Sequence, residues 1–375
     1  MSRPAVLFGG PSPEHDISII LGLLATRALA ESGTEVEAIY WTKAGEFVGV
    51  DNDLEAADFL EGVPRKARPL RLQGGGFQPE GGGLGKKKAL DISAVVNCCH
   101  GGPGEDGTLQ GALDLAGIRY TGPSVAGAAL GMDKLAFAAT CLAAGLPHLP
   151  VVAVDPNDVG AAPFDGPFIV KPRFGGSSIG IEVLADWDSV TAYVRSPQPH
   201  LRAGAIVEPY KADSYDINIA VRTHPEVQLS AIEKPLRTTA GTSILDYRDK
   251  YVGGEGMVSA PRELPAQIPS TWEDQIRSTA RQLIPVASVR GLARIDFLAV
   301  GAGDGEDNAA LYVNEINTIP GSLANYLWID PPMTTAQLVL DLLAEATSGP
   351  GRPYSTQGAD GSALRSAGSI SGKLG

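Results

Sequence analysis

Short apolar runs alternate with helical patterns along the first third of the chain. Residues 5–8 (AVLF) predict a buried strand, and a Gly-Gly-Pro turn leads into a run that predicts a helix over residues 17–33. VEAIYWT and SAVVNCCH predict further strands, and DGTLQGALDLAG predicts the helix that follows them. Strands that alternate with helices in this way indicate βαβ units and a parallel sheet.

The pattern changes near Gly122, where a second segment begins. Asp133 is placed to cap a helix that ends at Gly145. Strands are then predicted at FIVKP, IGIEVL, AIVEPY, SYDINIAVR, VQLSAIEKP, LARIDFLAV and ALYVNEINT, with helices near residues 272–290 and over TTAQLVLDLLAEAT. Residues 349–375 are rich in Gly and Ser and predict a mobile tail.

Composition narrows the class of protein. A chain of 375 residues with 43% hydrophobic and 19% charged residues is typical of two or three globular domains. The net charge of -13 argues against a nucleic-acid surface, which needs a basic stripe. The N-terminus does not resemble a signal peptide, no apolar run predicts a membrane span, and three cysteines make no disulfide framework. A cytoplasmic location without a membrane partner is the expectation.

Lys171 ends the apolar run FIV and precedes the loop RFGGSSIG. Glycines let backbone N–H groups approach phosphate oxygens, and hydroxyl groups add donors, so this loop suits a phosphate. The alternative is an ordinary hairpin turn with a solvated lysine. The loop is not a Walker A motif, because G-x-x-x-x-G-K-[ST] does not occur in the chain.

Polar side chains interrupt two strongly apolar strands near the C-terminus. Arg294 and Asp296 lie two residues apart and therefore face the same side of one strand, and Glu315 and Asn317 do so on the next. If the two strands form a hairpin, three oxygen ligands converge beside one arginine. Oxygen ligands of this kind suit Mg²⁺ with nucleotide phosphates. The alternative is a solvent-facing polar face, which the apolar surroundings disfavour.

Other motifs allow two interpretations. Gly102, Gly104 and Gly107 formally match the dinucleotide pattern G-x-G-x-x-G, but Pro103 removes a donor there and acidic residues follow. Glu14 opens the first predicted helix, where an acidic residue also favours the positive helix end. The run DYRDKY, which ends at residue 251, is either a surface loop or a lid over phosphate.

In combination these motifs resemble the D-alanine–D-alanine ligase family of the ATP-grasp superfamily. The resemblance covers about residues 4–345 and rests on FGGPSPEHDIS, HGGPGEDGTLQG, GMDK, KPRFGGSSIG, DYRDKY, RIDF and NEINTIPG. It implies an α/β fold of three domains: an N-terminal parallel-sheet domain over 1–122, a central α+β domain over 123–210 and a C-terminal α+β domain over 211–348, followed by the tail over 349–375. It also implies ATP as a substrate, two Mg²⁺ ions with Mn²⁺ as an alternative ion, and a homodimer.

The resemblance implies a role for each matching residue. ATP would be bound by Lys134, Lys171, Ser178, Glu208, Tyr210 and Asp216, with Asp213 as a rival of Asp216 at the ribose. The metal ions would be held by Asp296, Glu315 and Asn317. Glu14 would hold the ammonium of the first amino acid in a triad with Ser177 and Tyr251, near His100. Arg294 and the Gly321 backbone would form the oxyanion site.

The implied reaction joins two D-alanines through an acyl phosphate, for peptidoglycan precursor synthesis. After NEINTIPG the family's usual run is an aromatic residue or Met, then Thr, two residues and a Ser that touches the acceptor carboxylate; this chain has SLANYLW. Lys250 and Ser322 are therefore the expected acceptor-binding residues. The alternatives are a ligase of specialised metabolism, a nucleotide-binding protein without ligase activity and a nicotinamide dehydrogenase.

Overall fold

The structure, a computed structural model, describes residues 2–81, 88–236, 261–301, 310–349 and 355–367. Its strands are β1 Arg3–Gly9, β2 Glu37–Trp41, β3 Phe47–Val50, β4 Arg68–Gln73, β5 Gly76–Pro79, β6 Ile92–Asn97, β7 Val152–Val154, β8 Phe168–Pro172, β9 Glu182–Leu184, β10 Ala205–Pro209, β11 Ser214–Arg222, β12 Gln228–Leu229, β13 Lys234–Pro235, β14 Arg262–Glu263, β15 Leu292–Val300 and β16 Ala310–Asn317. Its helices are α1 His15–Glu31, α2 Thr108–Ala116, α3 Val125–Met132, α4 Lys134–Ala143, α5 Trp187–Arg195, α6 Ser270–Val286, α7 Thr335–Ser348 and α8 Ser362–Ala367.

Three main sheets follow one another along the chain. The first has the order β5-β4-β3-β2-β1-β6, and β1 pairs in parallel with both β2 and β6. The second has the order β7-β10-β8-β9 and the third the order β12-β11-β15-β16, both with antiparallel pairing. The predicted parallel pairing is confirmed for β2, β1 and β6, whereas β3, β4 and β5 extend the same sheet with antiparallel pairing. The predicted hairpin of β15 with β16 is confirmed.

Local signals placed most elements correctly. Asp133 caps α4, because its side chain accepts hydrogen bonds from the backbone N–H groups of Leu135 and Ala136. Strand β15 coincides with the predicted run LARIDFLAV. The predicted strand VQLSAIEKP is instead two short strands, β12 and β13, because its pairing with β11 shifts register between Leu229 and Glu233. Glu233 still bridges Asn218 on β11, and β13 then pairs with β14.

Helix packing crosses two of the predicted segment boundaries. Helix α7 and the 3₁₀ segment Gly321–Leu327 share the core of the N-terminal sheet, where Leu327 and Leu338 pack in one cluster with Phe8. Helix α4 shares the core of the third sheet through Phe137. Amphipathic helices pack wherever an apolar sheet face is open, so their position along the chain does not decide which core they join.

A short helix lies in the described part of the tail, whose mobility stays a prediction. Helix α8 forms there, and the Asp360 side chain accepts a hydrogen bond from the backbone N–H of Ser362 at its start. Among the helices in the described ranges, none combines the length and the apolar content that a membrane crossing needs.

Candidate active site

Residues of the second and third sheets, and of loops that adjoin the first sheet, line one cavity of about 250 Å³. Most of the predicted site residues lie on its wall: Glu14, His100, Lys134, Lys171, Ser177, Ser178, Glu208, Tyr210, Asp216, Arg294, Asp296, Glu315, Asn317 and Gly321. Lys250 and Tyr251 lie outside the described residues. Ser322 is described but is not part of the cavity wall, so its role stays a prediction.

Glu14 lies at the start of α1 and meets the glycine-rich loop of the second sheet. The Ser177 hydroxyl donates a hydrogen bond to the Glu14 carboxylate, which joins two of the three predicted triad members. The backbone of Gly101 passes so close that a Cβ there would lie 2.3 Å from Glu14 Oε2, and its φ is +63°. The positive φ favours glycine here, and a side chain at this position would displace the Glu14 carboxylate from the place where an ammonium could bind it.

His100 follows β6 and is buried in the cavity wall. Burial, and secondarily the charge of Arg294, lowers the pKa of His100 to about 4, so its imidazole is neutral near pH 7. Its Nε2 atom is buried and has no hydrogen-bond partner within the part of the chain that the structure describes. A buried polar atom of this kind is normally satisfied by a ligand or by water.

Glu105 links the N-terminal domain to the loop after β16. Its carboxylate accepts hydrogen bonds from Gly101 N at 3.0 Å, Ile319 N at 3.0 Å and Thr318 Oγ1 at 3.2 Å. Burial, with the like charge of Glu14, nevertheless raises its pKa to about 7. The same carboxylate thus holds the backbone beside Glu14 and the segment that leads to Gly321.

Two lysines lie on the side of the cavity formed by the second sheet. Lys171 on β8 donates a hydrogen bond of 2.7 Å to Glu208 on the neighbouring strand β10, and both side chains are buried. Lys134 at the start of α4 donates to the Gly175 carbonyl at 2.8 Å and lies 3.3 Å from Glu315. These contacts place two cations beside the loop with the glycines and serines.

Oxygen-bearing side chains cross the third sheet in one row. Asp296 on β15 is the register partner of Glu315 on β16 and of Asn218 on β11, so the three side chains share one face. Arg294 donates two hydrogen bonds to Asp296, at 2.6 and 2.7 Å, and Asn317 donates one at 3.0 Å. Although burial opposes its charge, Asp296 raises the pKa of Arg294 well above its usual value.

The row meets the chemical requirement for a divalent cation, because Asp296, Glu315 and Asn317 supply hard oxygen donors on one sheet face. Within the described ranges no three His, Cys, Asp or Glu residues are grouped so that they could hold a metal ion. The set is thus incomplete as a protein-only cage. It resembles a site whose remaining ligands come from phosphates and water, as is usual for Mg²⁺.

The glycine-rich loop after His100 does not form a dinucleotide site. Residues Gly102–Gly104 make a 3₁₀ turn, and a Cβ at Gly104 would lie 2.3 Å from Cys99 Cβ. The neighbouring Glu105 carboxylate occupies the donors of this loop. A pyrophosphate would have to lie against that carboxylate, which disfavours the dehydrogenase alternative.

Comparison with known proteins decides the family. The family model described as the D-ala D-ala ligase N-terminus matches residues 3–123, and the model described as the D-ala D-ala ligase C-terminus matches residues 145–344. The chain belongs to the D-alanine–D-alanine ligase family. It is therefore an ATP-dependent ligase with the three-domain ATP-grasp architecture. The match does not favour the specialised-metabolism alternative.

Individual members of the family align over nearly their full length. The D-alanine–D-alanine ligases of Rhodococcus opacus and Campylobacter lari are 31% and 30% identical to this chain, covering 92% and 87% of it and 98% and 89% of the relatives. The crystal structure of the ligase from Helicobacter pylori superposes with a TM-score of 0.71 at 25% identity, covering 94% of this chain and 100% of that one. The VanG D-Ala:D-Ser ligase of Enterococcus faecalis shares the fold, with a TM-score of 0.73 at 22% identity and coverage of 92% and 99%.

The residues of the cavity wall that the sequence did not predict include Asn218, Glu233, Arg262 and Glu105. Glu105 lies in the motif HGGPGEDGTLQG, where an acidic residue indicated only that a dinucleotide is disfavoured. Glu233 and Arg262 are separated by 28 residues and meet because β13 pairs with β14. No local spacing could have joined them, although an acidic residue at the end of an apolar run was a usable signal for Glu233.

Proposed function

We propose that this protein joins two D-alanines to D-alanyl-D-alanine, with release of ADP and phosphate, for the synthesis of peptidoglycan precursors. One observation carries the proposal. The Glu14–Ser177 pair, suited to an amino-acid ammonium, lines the same cavity as Lys134, Lys171 and the carboxylate row of the third sheet. A site for a small amino acid and a site for nucleotide phosphates therefore adjoin.

The chain's own residues support a two-step reaction. Glu14 would hold the ammonium of the first D-alanine. The carboxylate of that D-alanine would then attack the terminal phosphate of ATP, and ADP would leave. Lys134 and Lys171 would balance the charge of the phosphates, since phosphoryl transfer depends on positioning and charge neutralisation. The amine of the second D-alanine then attacks the acyl phosphate. Arg294 and the Gly321 backbone would stabilise the tetrahedral oxyanion until phosphate leaves.

We further propose that Asp296, Glu315 and Asn317 hold Mg²⁺, or Mn²⁺, together with the phosphates. Their hard oxygen donors and shared sheet face support this. Lys134, which lies 3.3 Å from Glu315, would have to yield this carboxylate to the ion. When bound, the ion would supply charge neutralisation at the phosphates. A cytoplasmic homodimer is the remaining part of the proposal and rests on the family resemblance.

The test is the reaction of the purified full-length chain with ATP, MgCl₂ and D-alanine. We expect ADP release that depends on D-alanine, and a product with the mass of an alanine dipeptide. A chelator should abolish both, and added Mg²⁺ should restore them. D-alanine-dependent ADP release without dipeptide, or dipeptide formation that a chelator leaves unchanged, would overturn the substrate and the metal assignment respectively.

A further inference from the structure

The carboxylate row of the third sheet continues beyond the predicted metal ligands. Asn218, the register partner of Asp296, forms an antiparallel bridge with Glu233, so Glu233 extends the same row across the sheet. Asn218 Nδ2 also donates to Glu233 Oε2 at 3.1 Å. Glu233 thus lies at the end of the row that is farther from Glu315, beyond Asp296.

Arg262 covers this end of the row. Its Nη1 atom lies 2.9 Å from Glu233 Oε1, and the exposed fractions of the two side chains are only 11% and 5%. Its guanidinium also lies over the ring of Tyr326, with Cζ 4.3 Å from the ring centroid. Arg262 and Glu233 both line the cavity that contains Arg294 and Gly321. The arginine is therefore a nearly buried, paired cation in the cavity wall.

Tyr326 comes from the segment in which this chain departs from the usual family run. Counting from Gly321, it stands where that run has the serine that touches the acceptor carboxylate. Its hydroxyl points to Glu233 Oε2, at 3.5 Å, and its ring supports Arg262. The structure thus has a tyrosine under an arginine where a small hydroxyl is usual.

We propose that Arg262 binds the carboxylate of the acceptor amino acid, and that Glu233 and Tyr326 are positioning residues for it. This inference rests on the proposed ligase function. An anion in a closed site needs a charged partner. A guanidinium carries five N–H donors in a planar fork that matches a carboxylate, and the aromatic ring below fixes its plane. Of the two sequence-based candidates, Ser322 does not line the cavity and Lys250 lies outside the described residues.

The experiment compares two acceptors for the same acyl phosphate in Arg262→Gln. D-Alanine carries a carboxylate, whereas hydroxylamine does not and forms D-alanine hydroxamate. We expect kcat/KM for the second D-alanine to fall about 10- to 100-fold, with hydroxamate formation and the KM for ATP within twofold of wild type. Arg277→Gln is the matched control, because Arg277 is a partly exposed arginine paired with Glu273 on α6.

Loss of Arg262 leaves Glu233 without its cation, and this could harm folding. Two further variants separate that effect from loss of the acceptor site. In Arg262→Gln/Glu233→Gln the buried charge is removed, and the same selective loss should remain. Tyr326→Phe keeps the ring and should retain most dipeptide formation. Equal losses of hydroxamate and dipeptide in the double variant would overturn the inference, as would unchanged dipeptide kinetics in either Arg262 variant.

Failure of the proposed function would look different. If wild type couples D-alanine to another carboxylate-bearing amino acid, the acceptor assignment is wrong, while Arg262→Gln should still lose that coupling selectively. If wild type accepts only amines without a carboxylate, the Arg262 inference itself is overturned.

Discussion

Lys171 and Glu208 form a buried ion pair on neighbouring strands of the second sheet. The family resemblance implied that both residues bind ATP, and that role did not require that they touch. Their contact compensates two charges that would each be costly in the cavity wall. With the proposed role of Lys171 at the phosphates, the pair would couple nucleotide binding to the stability of this sheet.

Lys171→Met should lower kcat/KM for ATP at least tenfold and also lower the Tm. The first effect follows from loss of a phosphate-side cation, and the second from a buried Glu208 left without a partner, which costs about 3–5 kcal/mol. Thermal unfolding and ADP release measure the two effects. In Lys171→Met/Glu208→Gln the Tm should recover and ATP use should not. If Lys171→Met has wild-type kinetics, Lys171 has a purely structural role.

Glu14→Gln should raise the KM for the first D-alanine about 10- to 100-fold and leave the KM for ATP within twofold. An amide can still accept the hydrogen bond of Ser177, but it gives up the charge-assisted bond to an ammonium, worth about 1.5–3 kcal/mol. Initial-rate kinetics with each substrate varied in turn separate the two constants. If both rise equally, Glu14 acts through the start of α1 instead.

At the scale of elements, helix α4 presents Lys134 to the cavity. Its N-cap Asp133 accepts two backbone hydrogen bonds and two from Arg173, at 2.7 and 2.5 Å. Although partial burial opposes this, Arg173 and the backbone donors lower the pKa of Asp133. One carboxylate thus starts the helix and ties it to the strand that carries Lys171.

Asp133→Ala should destabilise the protein by about 1–2 kcal/mol, the usual cost of losing an N-cap, and raise the KM for ATP. Asp133→Asn can still cap the helix and should lose less. Because the folded pKa is depressed, the charge-dependent part of this stability is present above the ordinary pKa of 3.8 and is lost as the pH falls through the folded value. Thermal unfolding of both variants at pH 7 tests the order.

At the scale of the whole molecule, a helix from the C-terminal part of the chain packs against the N-terminal sheet. Helix α7 packs into the N-terminal core, and Arg222 on β11 donates a hydrogen bond to Asp341 on α7. Glu105 adds a polar link between the N-terminal domain and the loop after β16. The cavity is therefore assembled only when all three sheets are in place.

The Glu105 link should make stability depend on pH. Its folded pKa, about 7, lies above the ordinary value of 4.5, so the folded protein binds this proton more tightly. The associated stability, about 3 kcal/mol at most, is fully present below pH 4.5 and is lost as the pH rises through 7. The Tm of wild type relative to Glu105→Gln should therefore fall between pH 5 and pH 8. Glu273→Gln, on the surface of α6, should show the same pH dependence of the Tm as wild type. If the Tm of Glu105→Gln also changes with pH in parallel with that of wild type, the prediction is wrong.

Local sequence determined most of the elements and much of the chemistry. Alternation of apolar runs predicted the parallel sheet, Asp133 predicted the start of α4, and two-residue spacing placed Arg294 with Asp296 on one face. These features depend on backbone periodicity and on hydrogen bonds between residues a few positions apart. They can therefore be predicted from the local sequence alone.

Tertiary structure alone decided the surroundings of the acceptor. Ser322, Leu323 and Ala324 have φ values of +52°, +52° and +46°, and this left-handed turn leaves Leu323 in the N-terminal core and Tyr326 under Arg262. Glu233 and Arg262 meet across the β13–β14 pair. Such contacts depend on which apolar faces pack together, and those faces come from segments that are far apart in the sequence. That choice is made by packing the whole chain and leaves no period in the local sequence.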